Sequence, residues 1–244
     1  MKLGISINLF DGIELLEPCL NQFTDYVSIV YQRVSNHGQD APTENEDKLI
    51  GLNVISFYPD LKIPPTSNEV HKRNIGLEDA IRNGCTHFMS VDVDEFYDKE
   101  QLEYAKRIIE EEDFDSSVCQ LQTYYKEPCY RYEIPEEYYV PLIYKIRKDK
   151  WFSGMNFPKL VDPTRKQEPG NIKVFCRDEI EMHHLSYVRD NIRCKLENSS
   201  AKINFKSKID KIVEYYDNWK FPDLALIGGL PPKYVSVIKV DAII

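Results

Sequence analysis

The run Phe88-Met89-Ser90-Val91-Asp92-Val93-Asp94-Glu95-Phe96-Tyr97 places three carboxylates within four residues at the end of an apolar, β-favouring stretch. Asp92 and Asp94 alternate along an extended backbone, so both side chains can leave on one face. Two hard oxygen donors side by side, with no thiol nearby, suit Mg²⁺ or Mn²⁺. Such an ion keeps positions open for water and for the phosphates of a nucleotide. Further along, Met182-His183-His184-Leu185-Ser186-Tyr187-Val188-Arg189 offers two imidazoles and a guanidinium, with Lys195 a few residues later. Arg189 and Lys195 are placed to meet phosphate from the start of a helix or its preceding loop.

The elements around these residues are those of an α/β domain. Leu3 to Leu9 reads as a first strand, Ile13 to Phe23 as a helix with apolar positions at Leu15, Leu16, Cys19, Leu20 and Phe23, and Tyr26 to Tyr31 as a second strand. Asn53 to Tyr58 is a third strand, and Asp47 to Leu52 is too short to assign. Pro59 to Thr66 is expected to be loop because of its Pro-Pro pair. Asn68 to Asn83 reads as a helix that Ser67 or Asn68 caps and Gly84 closes. His87 to Val93 is the carboxylate-bearing strand, and Lys99 to Glu111 is an amphipathic helix. This β-α-β order predicts a mostly parallel sheet with flanking helices, whose ligands sit outside the carboxyl ends of the strands. Strands are also expected at Ser117 to Tyr125 and Tyr138 to Ile146, joined by a Pro128 to Pro135 loop. Lys173 to Phe175 and Glu179 to His184 read as short strands, and Arg189 to Asn198 and Phe205 to Trp219 as helices. The tail around Gly228-Gly229-Leu230-Pro231-Pro232 has no clear assignment. The whole chain, 1–244, is expected to be one domain: a nucleotide-binding half (1–115) and an acceptor-side half (116–244).

The Arg73-Asn74 pair on a helix, the Gly84 that closes it and the strand ending in Asp92-Val93-Asp94 resemble the nucleotide-sugar half of family 2 glycosyltransferases, which have the GT-A fold. The likeness spans roughly the first hundred residues and is sharpest from Arg73 to Glu95. The His-His-Leu-Ser-Tyr-Val-Arg segment resembles, less specifically, the metal-binding histidine region of GT-A enzymes. The resemblance implies a UDP- or GDP-linked sugar donor, a divalent metal (Mn²⁺ or Mg²⁺) bridging its diphosphate to Asp92 and Asp94, and transfer to a hydroxyl of a carbohydrate or other acceptor. Asp94 is then the first choice as a direct metal ligand, with Asp92 on donor hydroxyls or on the metal through water. Arg73 and Asn74 would face the donor, His184 would complete the metal shell, and His183 would point the other way. Glu95 stands where the family commonly has Asp. Topology sets Ile7 and Asn8 after the first strand, and Gln32 and Asn36 after the second, where a base could be read.

Transfer with inversion needs a group to accept the acceptor's proton. Glu127, Asp149, Asp162 and Glu168 are the carboxylates considered, and Asp162 and Glu127 are the candidates carried forward. Asp162 follows a Trp151-Phe152-Ser153-Gly154 segment that could form a platform for a sugar. Spacing selects none of them, and a retaining mechanism would need no such base. A haloacid-dehalogenase-like phosphatase also uses Asp-x-Asp after a strand. Glu95 and Phe96 stand where that family prefers Thr or Val, and no convincing downstream acidic pair follows. A nucleotidyltransferase would carry a basic, Gly-rich loop after the first strand, but here the loop is Asn8-Leu9-Phe10-Asp11-Gly12. A non-catalytic nucleotide- or glycan-binding domain is the third alternative.

Composition bounds these readings. The 244 residues are 42% hydrophobic and 29% charged, as in soluble globular proteins. A net charge of −9 disfavours a general nucleic-acid partner. The six cysteines form no C-x-x-C pair and fit reduced thiols in a cytoplasmic protein. The amino terminus runs directly into a strand, and no spanning segment is expected, which leaves a peripheral membrane role open. The Asn198-Ser199-Ser200 acceptor pattern reads as chance.

Overall fold

The computed structural model describes residues 1–43, 45–199, 202, 208–227 and 233–244. The first half contains β1 (Leu3–Leu9), α1 (Leu16–Asn21), β2 (Tyr26–Gln32), α2 (Asn45–Lys48), β3 (Val54–Phe57), α3 (Pro65–Arg82), β4 (His87–Asp92), β5 (Glu95–Phe96) and α4 (Lys99–Glu111). The second contains β6 (Ser116–Tyr125), β7 (Glu127–Tyr132), β8 (Tyr139–Lys145), β9 (Ile172–Val174), β10 (Glu181–Tyr187), α5 (Ile192–Asn198), α6 (Ile209–Asn218), β11 (Ala225–Ile227), β12 (Lys233–Val235) and β13 (Val237–Lys239). The expected α/β class is observed. One 11-stranded sheet runs β13-β7-β6-β8-β4-β1-β2-β3, with β9 and β10 attached to β6, and β5 to β10. The β3-β2-β1-β4 core is parallel, while β8 is antiparallel to β4 and β6. The core is parallel, as expected, and the sheet is mixed beyond it, because β5, β7, β8 and β13 all pair antiparallel.

The core strands are covered on both faces, which is why β1 is buried at every position and reads as a nearly unbroken apolar run. Helix α3 lies on one face through Leu77 and Ala80, both buried. Burying a leucine such as Leu77 contributes about 1.5–3 kcal/mol. Gly76 permits the close approach: a Cβ there would meet Ser6 Oγ at 2.0 Å. On α4, Leu102, Ala105 and Ile109 share the buried face, and the Asp98 side chain caps the helix by accepting from the Glu100 and Gln101 N–H groups.

Several sequence expectations shift. The Pro64-Pro65 pair starts a helix instead of ending a loop, because Pro65 takes the first helical position, where its missing N–H costs nothing. The helix expected from Ile13 opens as a 3₁₀ turn and becomes α-helical only from Leu16. The Pro128 to Pro135 segment is largely strand β7. Its second neighbour is β13 from the distant tail, and its pairing with β6 is irregular at the end where Pro128 lacks an N–H. Residues 205–207 of the last expected helix, the 228–232 tail and Ser200 lie outside the described residues. All six cysteines are free. Among the described residues no helix is long and apolar enough to cross a membrane.

Candidate active site

Strand β4 delivers Asp92 to the carboxyl edge of the parallel core, where it registers with Asn8 of β1. Asp92 is gripped from behind. The Arg73 guanidinium donates to both its oxygens (3.2 and 3.3 Å) and to Ser90 Oγ (2.9 Å). Arg165 donates to Asp92 Oδ2 (2.6 Å) and forks onto both oxygens of Glu95. Glu95 Oε2 in turn accepts from the Asp92 N–H (3.1 Å). Arg73, Arg165 and Glu95 are almost wholly buried, whereas the Asp92 side chain keeps 34% of its surface. Burial alone would raise the Asp92 pKa, but Arg165 and Arg73 overcome it and hold the carboxyl well below the ordinary range.

A second cluster forms around Asp94. Asp94 is buried, and its Oδ2 accepts from Arg189 and from Lys195 Nζ (2.8 Å). His184 Nε2 lies 3.8 Å from the same oxygen. Strand β10 creates this meeting: His184 registers with Glu95, and the Leu185 N–H donates to the Asp94 carbonyl (2.8 Å). Arg189 is pinned by Tyr216, whose hydroxyl accepts from the Arg189 N–H and donates to its carbonyl. Gly12, at φ 75°, leaves room for the guanidinium, since a Cβ there would sit 2.9 Å from Arg189 Nη1. Burial opposes the Asp94 charge, but Lys195, Arg189 and His184 outweigh it and push the carboxyl well below its usual range. Burial lowers His184 to about 4, so its imidazole is neutral at pH 7.

Two cavities flank Asp92. A cleft of about 150 Å³ is lined by Asn8, Gln32, Asn36, Lys72, Asp92, Asp94, Arg189 and Lys195, among others. The amide oxygens of Asn8 and Asn36 are buried and have no hydrogen-bond partner among the described residues. Gln32 accepts from Lys72 Nζ (3.0 Å). A second cavity of about 300 Å³ is lined by Asp92, Glu95, Glu136, Tyr138, Tyr139, Asp162, Arg165 and His184, among others.

Some expected site residues are placed elsewhere. Ile7 is wholly buried in the apolar core, so its side chain does not line the cleft. Arg73 sits beneath Asp92 and positions it, instead of facing a donor. Asn74 holds the backbone of Phe152 at both its N–H and its carbonyl. Glu127 is exposed at the start of β7, where its carboxylate accepts from Cys129 Sγ, and it lines neither cavity. Asp162 does line the second cavity, but its Oδ1 caps a 3₁₀ turn, accepting from the Thr164 N–H and hydroxyl, each at 2.7 Å. His183 turns away, with its Nδ1 3.0 Å from the Tyr124 hydroxyl. Sequence reasoning does not find Arg165. It lies about seventy residues from Asp92, and its only local signal is the Asp162-Pro163 start of the turn that carries it.

An ionised Asp94 and a neutral His184 are one oxygen and one nitrogen donor of the kind a divalent cation takes, 3.8 Å apart, with Asp94 Oδ2 also holding Arg189 and Lys195. The cleft is lined by four carboxylates, Asp11, Glu69, Asp92 and Asp94, and three cations, Lys72, Arg189 and Lys195. The walls therefore hold no surplus positive charge for a diphosphate. Asp92 fits this role poorly, because both its oxygens are committed to arginines. Among the described residues, no three Asp, Glu, His or Cys side chains gather closely enough to hold a metal unaided.

No family model matches the chain, and no curated protein matches it in sequence. Solved structures do resemble it. Staphylococcus aureus TarS aligns with a TM-score of 0.49 and 14% identity, over 88% of this chain and 44% of that one. TarS 1–349 aligns at 0.46 and 15%, over 88% of this chain and 72% of the other. A mannose-1-phosphate geranyltransferase from Thermus thermophilus aligns at 0.34 and 16%, over 59% and 50%. The likeness is one of fold.

Proposed function

We propose that the protein is a family 2-like glycosyltransferase that moves a sugar from a UDP- or GDP-linked donor to an acceptor hydroxyl in the assembly of a glycan. The observation that carries this reading is the cleft at the carboxyl ends of β1, β2 and β4. It combines Arg189 and Lys195 with the buried Asp94 and with two unpartnered amide oxygens. Breaking a sugar–phosphate bond leaves negative charge on the diphosphate, and preorganised cations are the groups that lower that cost. In this reading Arg189 and Lys195 receive the leaving diphosphate. Asn8 and Asn36 accept from N–H groups of the base. Asp92, held immobile by Arg73 and Arg165, accepts from donor hydroxyls. Asp94 and His184 hold Mn²⁺ or Mg²⁺, which when bound supplies further neutralisation of the diphosphate.

The doubly clamped Asp92 also argues against a phosphatase, in which that carboxylate would have to be free to attack. The test is thermal unfolding with a panel of nucleoside diphosphates, with and without Mn²⁺. A ligand that binds only the folded state raises the midpoint. The reading expects a Mn²⁺-dependent rise with UDP or GDP. No rise with any nucleotide in folded, metal-replete protein would sink it. Turnover of the matching sugar nucleotide then separates an enzyme from a binding domain.

A further inference from the structure

Of the four second-half carboxylates that the sequence offers as the group accepting the acceptor's proton, none is both free and in a cavity beside Asp92. Glu127 lines neither cavity. Asp149 and Glu168 share the Lys150 ammonium and line neither cavity. Asp162 spends its Oδ1 on a helical cap. A fifth carboxylate does reach the cavity beyond Asp92. Glu136 lies in the connection between β7 and β8. Its carboxylate accepts from the Thr123 hydroxyl, and its carbonyl accepts from Arg177 (2.7 Å). Thr123 registers with His184 across the β6–β10 pair, so Glu136 is held on the strand that borders the Asp94 cluster.

We propose, resting on the glycosyl-transfer reading above, that Glu136 is the catalytic base and that its cavity takes a hydroxyl of a neutral saccharide. Glu136 takes the proton from the acceptor O–H while that oxygen bonds to the anomeric carbon. The bond from that carbon to the diphosphate oxygen breaks, and its electron pair leaves with the nucleoside diphosphate. Asp92 lines both cavities, and in this proposal the donor occupies the first and the acceptor the second, on either side of that carboxylate. Burial raises the Glu136 pKa, opposed by the Thr123 hydroxyl and Arg177, and a carboxylate shifted toward neutrality is a better base.

The cavity's charge selects the acceptor class. Asp92, Glu95, Glu136 and Asp162 line it, and the Arg165 guanidinium beside them is already engaged by Asp92 and Glu95. A phosphorylated or carboxylated acceptor would meet four carboxylates on this wall, where the one lining cation among the described residues, Arg165, is already engaged. Tyr138, 42% exposed, supplies a ring face and a hydroxyl that suit an uncharged sugar, while the Tyr139 ring carries the Lys159 ammonium at 5.2 Å.

The test compares wild type with Glu136→Gln, which keeps the shape and the Thr123 contact. Both are titrated with UDP and GDP in Mn²⁺. Both are then assayed for nucleoside diphosphate release from UDP- and GDP-hexoses, with neutral p-nitrophenyl hexosides as acceptors and hexose 6-phosphates as the charged comparison. The expected result is unchanged nucleotide affinity and melting midpoint, with kcat for the neutral acceptor down roughly 10²–10⁴-fold. A kcat within threefold of wild type, or a parallel loss of nucleotide binding, overturns the assignment of the base. Wild-type turnover that favours the hexose phosphates, or none with any neutral hexoside while nucleotide still binds, overturns the acceptor class. Failure of the wild type to bind either nucleotide would instead overturn the donor reading on which the proposal rests.

Discussion

The two cavities that Asp92 lines manage charge in opposite ways. On the donor side, buried carboxylates are matched by cations that reach the cleft itself: Arg189 and Lys195 converge on Asp94. On the acceptor side, the cation is behind the wall. Arg165 is buried and saturated by Asp92 and Glu95, so the surface it leaves exposed is acidic. The first arrangement suits an anion with a metal, and the second suits an uncharged hydroxyl that must lose a proton. A single residue, Asp92, lines both, and Arg73 and Arg165 fix its position. The difference teaches that counting charges along a sequence says little about a site. What matters is which side of the carboxylate its counter-ion occupies.

That contrast can be broken at its joint. Arg165→Met removes the shared cation and leaves Asp92 and Glu95 facing each other in a buried site. The expected loss is about 3–5 kcal/mol of stability, the usual cost of uncovering a buried ion pair. Adding Glu95→Gln should recover part of it, measured by urea denaturation. Equal stability of the single and double variants would show that Glu95 does not depend on Arg165. On the donor side, Asp94→Ala should abolish the Mn²⁺-dependent nucleotide shift and lower turnover at least about a hundredfold, since metal-assisted charge stabilisation contributes several kcal/mol. A variant that still shows the full shift would mean that Asp94 only anchors Arg189 and Lys195.

His184 offers a finer test. Its folded pKa of about 4 lies below its ordinary 6.5, because burial disfavours the charged imidazole. In the metal-free protein, acidification through that window protonates the unfolded chain first, so stability present above 6.5 is lost as pH falls toward 4. His184→Asn should flatten this part of the stability–pH curve. An unchanged slope would place the titration elsewhere. The smallest effect is expected at Asp162. Its replacement by Ala should cost about 1 kcal/mol, the value of a lost helix cap, as read from the unfolding midpoint. A much larger fall in kcat than in stability would return Asp162 to the chemistry.

Much of the first half was legible because its signals are local. The strands of β1, β2 and β4 are apolar runs with turn residues between them, and the carboxylates follow β4 directly, so both the parallel core and the place of Asp92 and Asp94 could be read along the chain. The second half was read less well. Strand β7 depends on β13, more than a hundred residues later, and Glu136 acquires its place only when Thr123 of β6 lies beneath it. Arg73 is legible on its helix but its direction is not, because α3 packs that face inward onto Ser90 and Asp92.

What the sequence determined by itself, then, was the alternation of strands and helices, the apolar faces that force them into a sheet, and the presence of acids at one strand end. These follow from periodicity and from the cost of exposing apolar surface, which act over a few residues at a time. Only the tertiary structure decided which cation pairs with which acid. Arg165, Arg189 and Lys195 reach Asp92 and Asp94 across about seventy to a hundred residues of chain. Electrostatic energy depends on distance in space and on burial, and neither is written in the spacing of residues along the chain.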